Sequence, residues 1–213
     1  LADRWILSLF NRTIANVTSA LENYRFDEAS RGLYEFVWNA YCDWYLEMAK
    51  VRLNGEDPEE RANVQAVLVH VLEGTLRLLH PMVPFISEEL WQKFPHRGEA
   101  LIVADWPQAD DTLLDDMAET EMALVQEVVR AVRNIRGTMS VPPGKRADLL
   151  VKVESREIID ILDRTQAYIC ELGRVDSFEM GNDVVRPRAS ASAVLTDLEV
   201  YVPLAGLIDL EIE

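Results

Sequence analysis

The chain has 213 residues, 49% of them hydrophobic, which is enough for a sizeable core in one large or two small domains. It has no apolar run near the roughly 20 residues of a membrane span and no charged-then-apolar leader, and Cys42 and Cys170 form no C-x-x-C pair. A soluble, cytoplasmic monomer is expected. The net charge of −16 excludes a surface that attracts phosphate everywhere, but residues 1–53 hold six Lys/Arg against seven Asp/Glu while residues 54–113 hold four against eleven, so a local basic face has room near the start.

From Ala2 to Tyr24, the residues Leu7, Phe10, Ile14, Val17, Leu21 and Tyr24 fall at helical spacing and predict one apolar stripe. The opposite side carries Asn11, Arg12 and Asn16, of which Asn11 and Arg12 are placed to meet either solvent or RNA. A second helix, Asp27 to Val51, sets Tyr34, Val37, Trp38, Tyr41, Trp44, Tyr45 and Met48 on one face. Such a stripe reads as the core of a helix bundle; left exposed, the same aromatics would stack on bases. Asp57-Pro58-Glu59-Glu60 reads as an N-cap, a first-turn proline and two acids that suit a helix start. The helix that follows, to Leu79, is apolar around much of its circumference and is expected to be the most buried member of an up-and-down bundle.

Pro81 ends that helix, and Pro84 opens a short one whose apolar face is expected from Phe85, Ile86, Leu90 and Trp91, with Glu88 and Glu89 near its positive end. Residues 95–113 read as irregular, with an extended piece at Leu101-Ile102-Val103. A further helix, Asp115 to Arg136, carries Met122, Val125, Val128, Val129, Val132 and Ile135, and spaces Arg130, Arg133 and Arg136 by threes. Cations at a helix C-terminus suit its dipole, and equally suit phosphate. After Val141-Pro142-Pro143-Gly144 the period changes. Strands are predicted at 149–153, 175–180, 192–196 and 199–202, with a helix from Arg156 to Leu172 closed by Gly173. The fold is therefore expected to be mostly α: an antiparallel helical bundle (1–113), a connecting helix (114–140) and a small α+β domain with an antiparallel sheet (141–213).

No catalytic set emerges. There is no glycine-rich phosphate loop, His70, His80 and His96 lack metal-ligand spacing, and His80 reads as a hydrogen-bonded structural residue. The stretches Leu78-Leu79-His80-Pro81-Met82-Val83-Pro84-Phe85-Ile86-Ser87-Glu88-Glu89-Leu90-Trp91, Cys42-Asp43-Trp44-Tyr45-Leu46-Glu47, Ile135 to Lys145 and Pro203 to Leu210 resemble the anticodon-binding region of class I aminoacyl-tRNA synthetases. The first is shared by valyl, leucyl and isoleucyl enzymes; the second and third resemble the valyl-tRNA synthetase form, and with the fourth the resemblance covers essentially the whole chain.

The resemblance implies a piece of a longer ligase that joins valine to its tRNA using ATP and Mg2+. The motifs that handle ATP in that family, His-Ile-Gly-His-like and Lys-Met-Ser-Lys-Ser-like, do not occur here, so no cofactor and no catalytic residue is expected in this segment. It also implies a missing upstream helix rich in Asn, Lys and Arg, and a missing downstream coiled coil. The partner is expected to be valine tRNA, with Arg12, Arg130, Arg133, Arg136, Lys145 and Arg146 as the candidate phosphate contacts. The rival readings are an RNA-independent helical module that binds a basic protein through residues 54–113, and the equivalent leucyl or isoleucyl fragment.

Overall fold

The computed structural model describes residues 1–207 and separates into two compact units, Leu1–Glu119 and the residues from Thr120 on. The first unit is helical. Helix α1 (Ala2–Glu22) buries Ile6, Phe10, Ile14 and Val17, with Ala2, Trp5 and Ala20 on the flanks. Its stripe is rotated from the predicted one at both ends. Leu7 and Leu21 are only half-buried, and Tyr24 is exposed because the chain has already turned there. Tyr24 takes a left-handed φ of 58°, and Arg25 N–H donates to the Ala20 carbonyl at 2.8 Å, a six-to-one helix end that throws the tyrosine outward. Asn11 is also buried: its amide nitrogen donates to Leu7 O (2.9 Å) and its carbonyl accepts Asp110 N–H (2.7 Å). It is a structural residue, not a surface for RNA.

The predicted second helix is one helical run with three hydrogen-bonding patterns: α2 (Phe26–Tyr34), a π-helical segment (Glu35–Tyr45) and α3 (Leu46–Leu53). The wider π turn changes which side chains share a face. Tyr41, Trp44, Tyr45 and Met48 are buried, whereas Tyr34 and Trp38 are exposed, so the aromatic stripe is core only in its second half. Tyr45 hydroxyl donates to Asp3 Oδ1 (2.8 Å) and Tyr41 hydroxyl to Leu68 O (3.0 Å), which gives each buried phenol a partner. Burial first, and then the Asp3 carboxylate, push the Tyr45 pKa up, so it stays a donor.

Helix α4 (Pro58–Leu79) starts as its sequence implies: Asp57 Oδ1 accepts Glu59 N–H at 2.9 Å and Pro58 occupies the first turn. Replacing Asp57 with Ala is expected to cost about 1 kcal/mol, read as a lower urea midpoint for the first unit. It is α1, not α4, that buries most: Val67, Leu68 and Leu72 of α4 are only half-covered. A wide apolar arc does not ensure a neighbour on every side.

Helix α5 (Pro84–Trp91) follows the proline corner with Pro84 in its first turn. Of its four large apolar residues only Trp91 is buried; Ile86 and Leu90 are exposed and Phe85 is 91% exposed. Glu88 does not serve the helix start. Its carboxylate accepts Leu101 N–H (2.8 Å) and Gln92 Nε2–H (2.7 Å), and that second bond, before the first, draws its pKa below the ordinary carboxylate range. Held this way, Leu101–Val103 is a 3-10 turn rather than an extended piece. His80 Nδ1 lies 2.8 Å from Ser87 Oγ, pinning the corner, while its buried Nε2 has no protein partner.

The second unit contains most of α6 (Asp116–Thr138), whose apolar arc from Met122 to Val132 is buried as predicted. The helix ends in another left-handed residue, Ser140, with Val141 N–H on Arg136 O at 2.9 Å. Strand β1 (Ala147–Val153) alternates inward and outward as the sequence implies. The predicted single helix after it breaks at Thr165 into α7 (Arg156–Arg164) and α8 (Gln166–Gly173). Arg174, not Gly173, takes the left-handed position beyond α8; a Cβ at Gly173 would sit 3.2 Å from the Val175 side chain, a tight approach.

Strands β2 (Val175–Gly181), β3 (Ser190–Val194) and β4 (Leu198–Pro203) complete a sheet of order β2-β1-β4-β3. The sheet is mixed rather than antiparallel. Strand β1 pairs with β4 antiparallel but with β2 parallel, because the two-helix crossover returns the chain to the same end before β2 starts. Of the closing sequence stretch, Ile208, Asp209 and Leu210 lie outside the described residues.

Candidate nucleic-acid interface

Each unit has a groove that gathers some of its arginines. In the first, α1 and α2 flank an open groove of about 690 Å³ lined by Arg12, Asn16, Arg25 and Arg31, together with Glu28 and Glu35. Gly32 leaves its wall open, since a Cβ there would meet nothing within 4 Å. Arg25 holds Glu28 at 2.8 Å, and Arg31 makes a looser pair with Asp27 at 3.6 Å, both groups being well exposed. Arg12 is more committed. Arg4, Ser8 and Arg12, spaced by one helical turn, bind Asp115, Glu119, and Asp116 with Glu119 respectively, forming a ladder along α1. The hydrogen bond to Glu119 and its charge raise the Arg12 pKa, so its charge is firmly fixed.

In the second unit, the exposed side of α6 and strand β3 flank a groove of about 840 Å³, lined by Arg130, Asn134, Arg186, Ser190, Ser192 and Glu127. Arg130 Nη2 donates to Gln126 Oε1 at 3.3 Å, and Arg186 Nη2 reaches Ser190 O at 3.4 Å. Both side chains line the groove with these contacts in place.

The other four cations singled out in the sequence hold the fold. Arg133 Nε donates to Leu172 O (2.9 Å), satisfying a carbonyl at the C-terminal end of α8. Arg136 is buried, with Nη2 on Lys145 O (2.6 Å); burial first, and then nearby Arg174, lower its pKa. Lys145 Nζ donates to Gly206 O and Leu207 O, both at 3.0 Å. Arg146 donates to Val175 O (3.0 Å) and pairs with Glu171 (2.6 Å). Within the grooves, Arg12 is joined by Arg25 and Arg31, and Arg130 by Arg186. Sequence reasoning does not single out these three partners. Arg25 and Arg31 are findable, as two of the six cations in the nearly neutral first 53 residues; Arg186 sits in a loop with no periodicity to place it.

Among the described residues no three His, Cys, Asp or Glu side chains gather as metal ligands would, and no helix is long and apolar enough to cross a membrane. These two grooves are open and edged by arginines, a form suited to a long polyanion rather than to an enclosed small molecule.

Residues 3–152 match the family described as the anticodon-binding domain of tRNA ligases. Over 213 residues, all of this chain, it is 41% identical to the valine-tRNA ligase of Halalkalibacterium halodurans and 42% identical to those of Lactiplantibacillus plantarum and Latilactobacillus sakei. In each case it spans 24% of the relative's length, about a quarter of those proteins.

Proposed function

The chain belongs to the family of anticodon-binding domains of tRNA ligases, and from that premise we propose that it is the tRNA-facing scaffold of a cytoplasmic, monomeric valine-tRNA ligase. The observation that carries this reading is the similarity along its whole length, 41% to 42% identical, to about one quarter of several such ligases. The whole ligase joins valine to its tRNA with ATP and Mg2+, and the reacting groups belong to the remaining three quarters. This part contributes RNA binding, with 1–113 as the bundle, 114–140 as the connecting helix and 141–213 as the small domain.

Arg12, Arg130, Arg133, Arg136, Lys145 and Arg146 are its candidate phosphate contacts, in unequal standing. Arg12 shares a groove with Arg25 and Arg31, and Arg130 one with Arg186, while Arg133, though exposed, is tied to the Leu172 carbonyl. Arg136 reaches phosphate only by leaving its carbonyls.

Binding to valine tRNA and to a non-cognate tRNA across a salt series tests the proposal. Arg130→Ala and Arg133→Ala, each removing one cation from the phosphate backbone, should each lower the log-log salt slope by about one. Equal affinity for both tRNAs, with slopes unmoved by either substitution, would sink it.

A further inference from the structure

The half of the aromatic stripe that the fold leaves outside has a definite geometry. Tyr34 is 63% and Trp38 55% exposed, and their rings lie 6.3 Å apart and only 7° from parallel. They continue a line along the helix that begins with Phe26, itself exposed, and passes Ser30, whose hydroxyl lies 3.3 Å from Met82 of the proline corner. Flat aromatic faces held parallel on a helix surface accept another flat group, and covering their outer faces removes a large apolar area from water. Solvent alone gives no reason to keep two large aromatics stacked and outside.

What borders the pair narrows the partner. Arg31 precedes Tyr34 by three residues, so it lies on the adjoining flank, and it also lines the α1–α2 groove. Its ion pair with Asp27 is the loosest on this helix run, and Glu28, the next acid, is already held by Arg25. A cation therefore stands between the aromatic platform and a groove that holds two more arginines. A phosphate backbone is one group that such a cation meets directly. Single-stranded RNA uses both features, stacking bases on aromatics while its backbone follows positive charge.

We propose that Tyr34 and Trp38 form a stacking platform for an unpaired base of bound RNA, whose backbone passes Arg31 into the α1–α2 groove. This rests on the tRNA-binding reading above and adds to it a site for a base in place of phosphate contacts alone. The stack is sequence-tolerant, because any base presents a flat face.

The 213-residue chain is titrated with valine tRNA, with a short oligouridylate and with an abasic oligonucleotide of equal length. Trp38→Ala should weaken tRNA binding roughly tenfold with the salt slope unchanged, and should abolish the preference for oligouridylate over the abasic strand. Trp38→Phe should keep most of the affinity. Arg31→Ala should instead lower the salt slope by about one. Because both rings are exposed, unfolding transitions should not move, which separates lost stacking from lost fold. If tRNA binds but Trp38→Ala and Tyr34→Ala bind it like the unsubstituted chain, the platform is wrong and the tRNA reading stands. If the unsubstituted chain binds no tRNA, both fall. Self-association relieved by Trp38→Ala, with RNA affinity unchanged, would give the face to a protein and overturn the proposal.

Discussion

Replacing Trp91 with Ala is expected to destabilise the first unit by about 3–5 kcal/mol, the range for emptying a large aromatic site in a packed core. The indole is fully buried against Leu76 and Leu101, with Leu72, Phe94 and Ala104 around them. Its ring lies over His96 with centroids 3.8 Å apart, and its Nε1–H donates to Glu73 Oε1 at 2.8 Å. It thus ties α4, α5 and the segment after α5 together. No other large side chain of α5 can compensate, because Phe85, Ile86 and Leu90 all face outward. Urea unfolding checks this: the midpoint should fall steeply with the slope retained, Trp91→Phe should fall between, and Phe85→Ala should stay within about 0.5 kcal/mol. A Trp91→Ala midpoint no lower than that of Phe85→Ala would show that the corner is held by something else.

That contrast also shows what a period can and cannot reveal. The stretch Phe85-Ile86-Ser87-Glu88-Glu89-Leu90-Trp91 has one helical turn of apolar residues before its acids and another after, and nothing in the spacing says which turn meets a neighbour. The decision lies with α4 and with Leu101, residues distant in sequence. The aromatic run Tyr34 to Met48 poses the same problem in another form. Its spacing fits a single α-helical face, but the segment from Glu35 to Tyr45 is π-helical, so the face shifts and the first two aromatics emerge. Where local chemistry suffices, sequence and structure agree. Asp57 and Pro58 start α4, Pro84 starts α5, and the arc from Met122 to Val132 is buried. Parallel pairing of β1 with β2 is not legible because strand direction depends on where the crossover between them ends, not on the strands' own residues.

Site residues are legible by type more than by role. Spacing singles out Arg130, Arg133 and Arg136 as a set, yet each step of three residues rotates about 60° back around the helix, and that drift gives them three different environments. Arg130 lines a groove, Arg133 ends α8, and Arg136 is buried. A guanidinium that satisfies carbonyls and one that lines a groove look alike in sequence; only the positions of the acceptors separate them.

Arg136 gives the sharpest test of that distinction. Its Nη2 donates to Lys145 O at 2.6 Å and, more weakly, to Pro142 O at 3.4 Å, while Nη1 reaches Arg174 O at 3.4 Å. One side chain thereby fixes the segment after α6 and the turn before β2. Arg136→Ala should cost the second unit about 3 kcal/mol, since a buried acceptor stripped of a charged donor loses about 1–3 kcal/mol and two weaker partners are released with it. Arg136→Lys should recover little, because a single ammonium cannot span the fork. Amide exchange at residues 144–147 should accelerate in both variants. If Arg136 served phosphate instead, its removal would lower the salt slope of tRNA binding by about one and leave the unfolding midpoint in place. The distances favour the first outcome: a guanidinium 2.6 Å from a backbone carbonyl inside the fold must break that bond before it can serve a ligand outside.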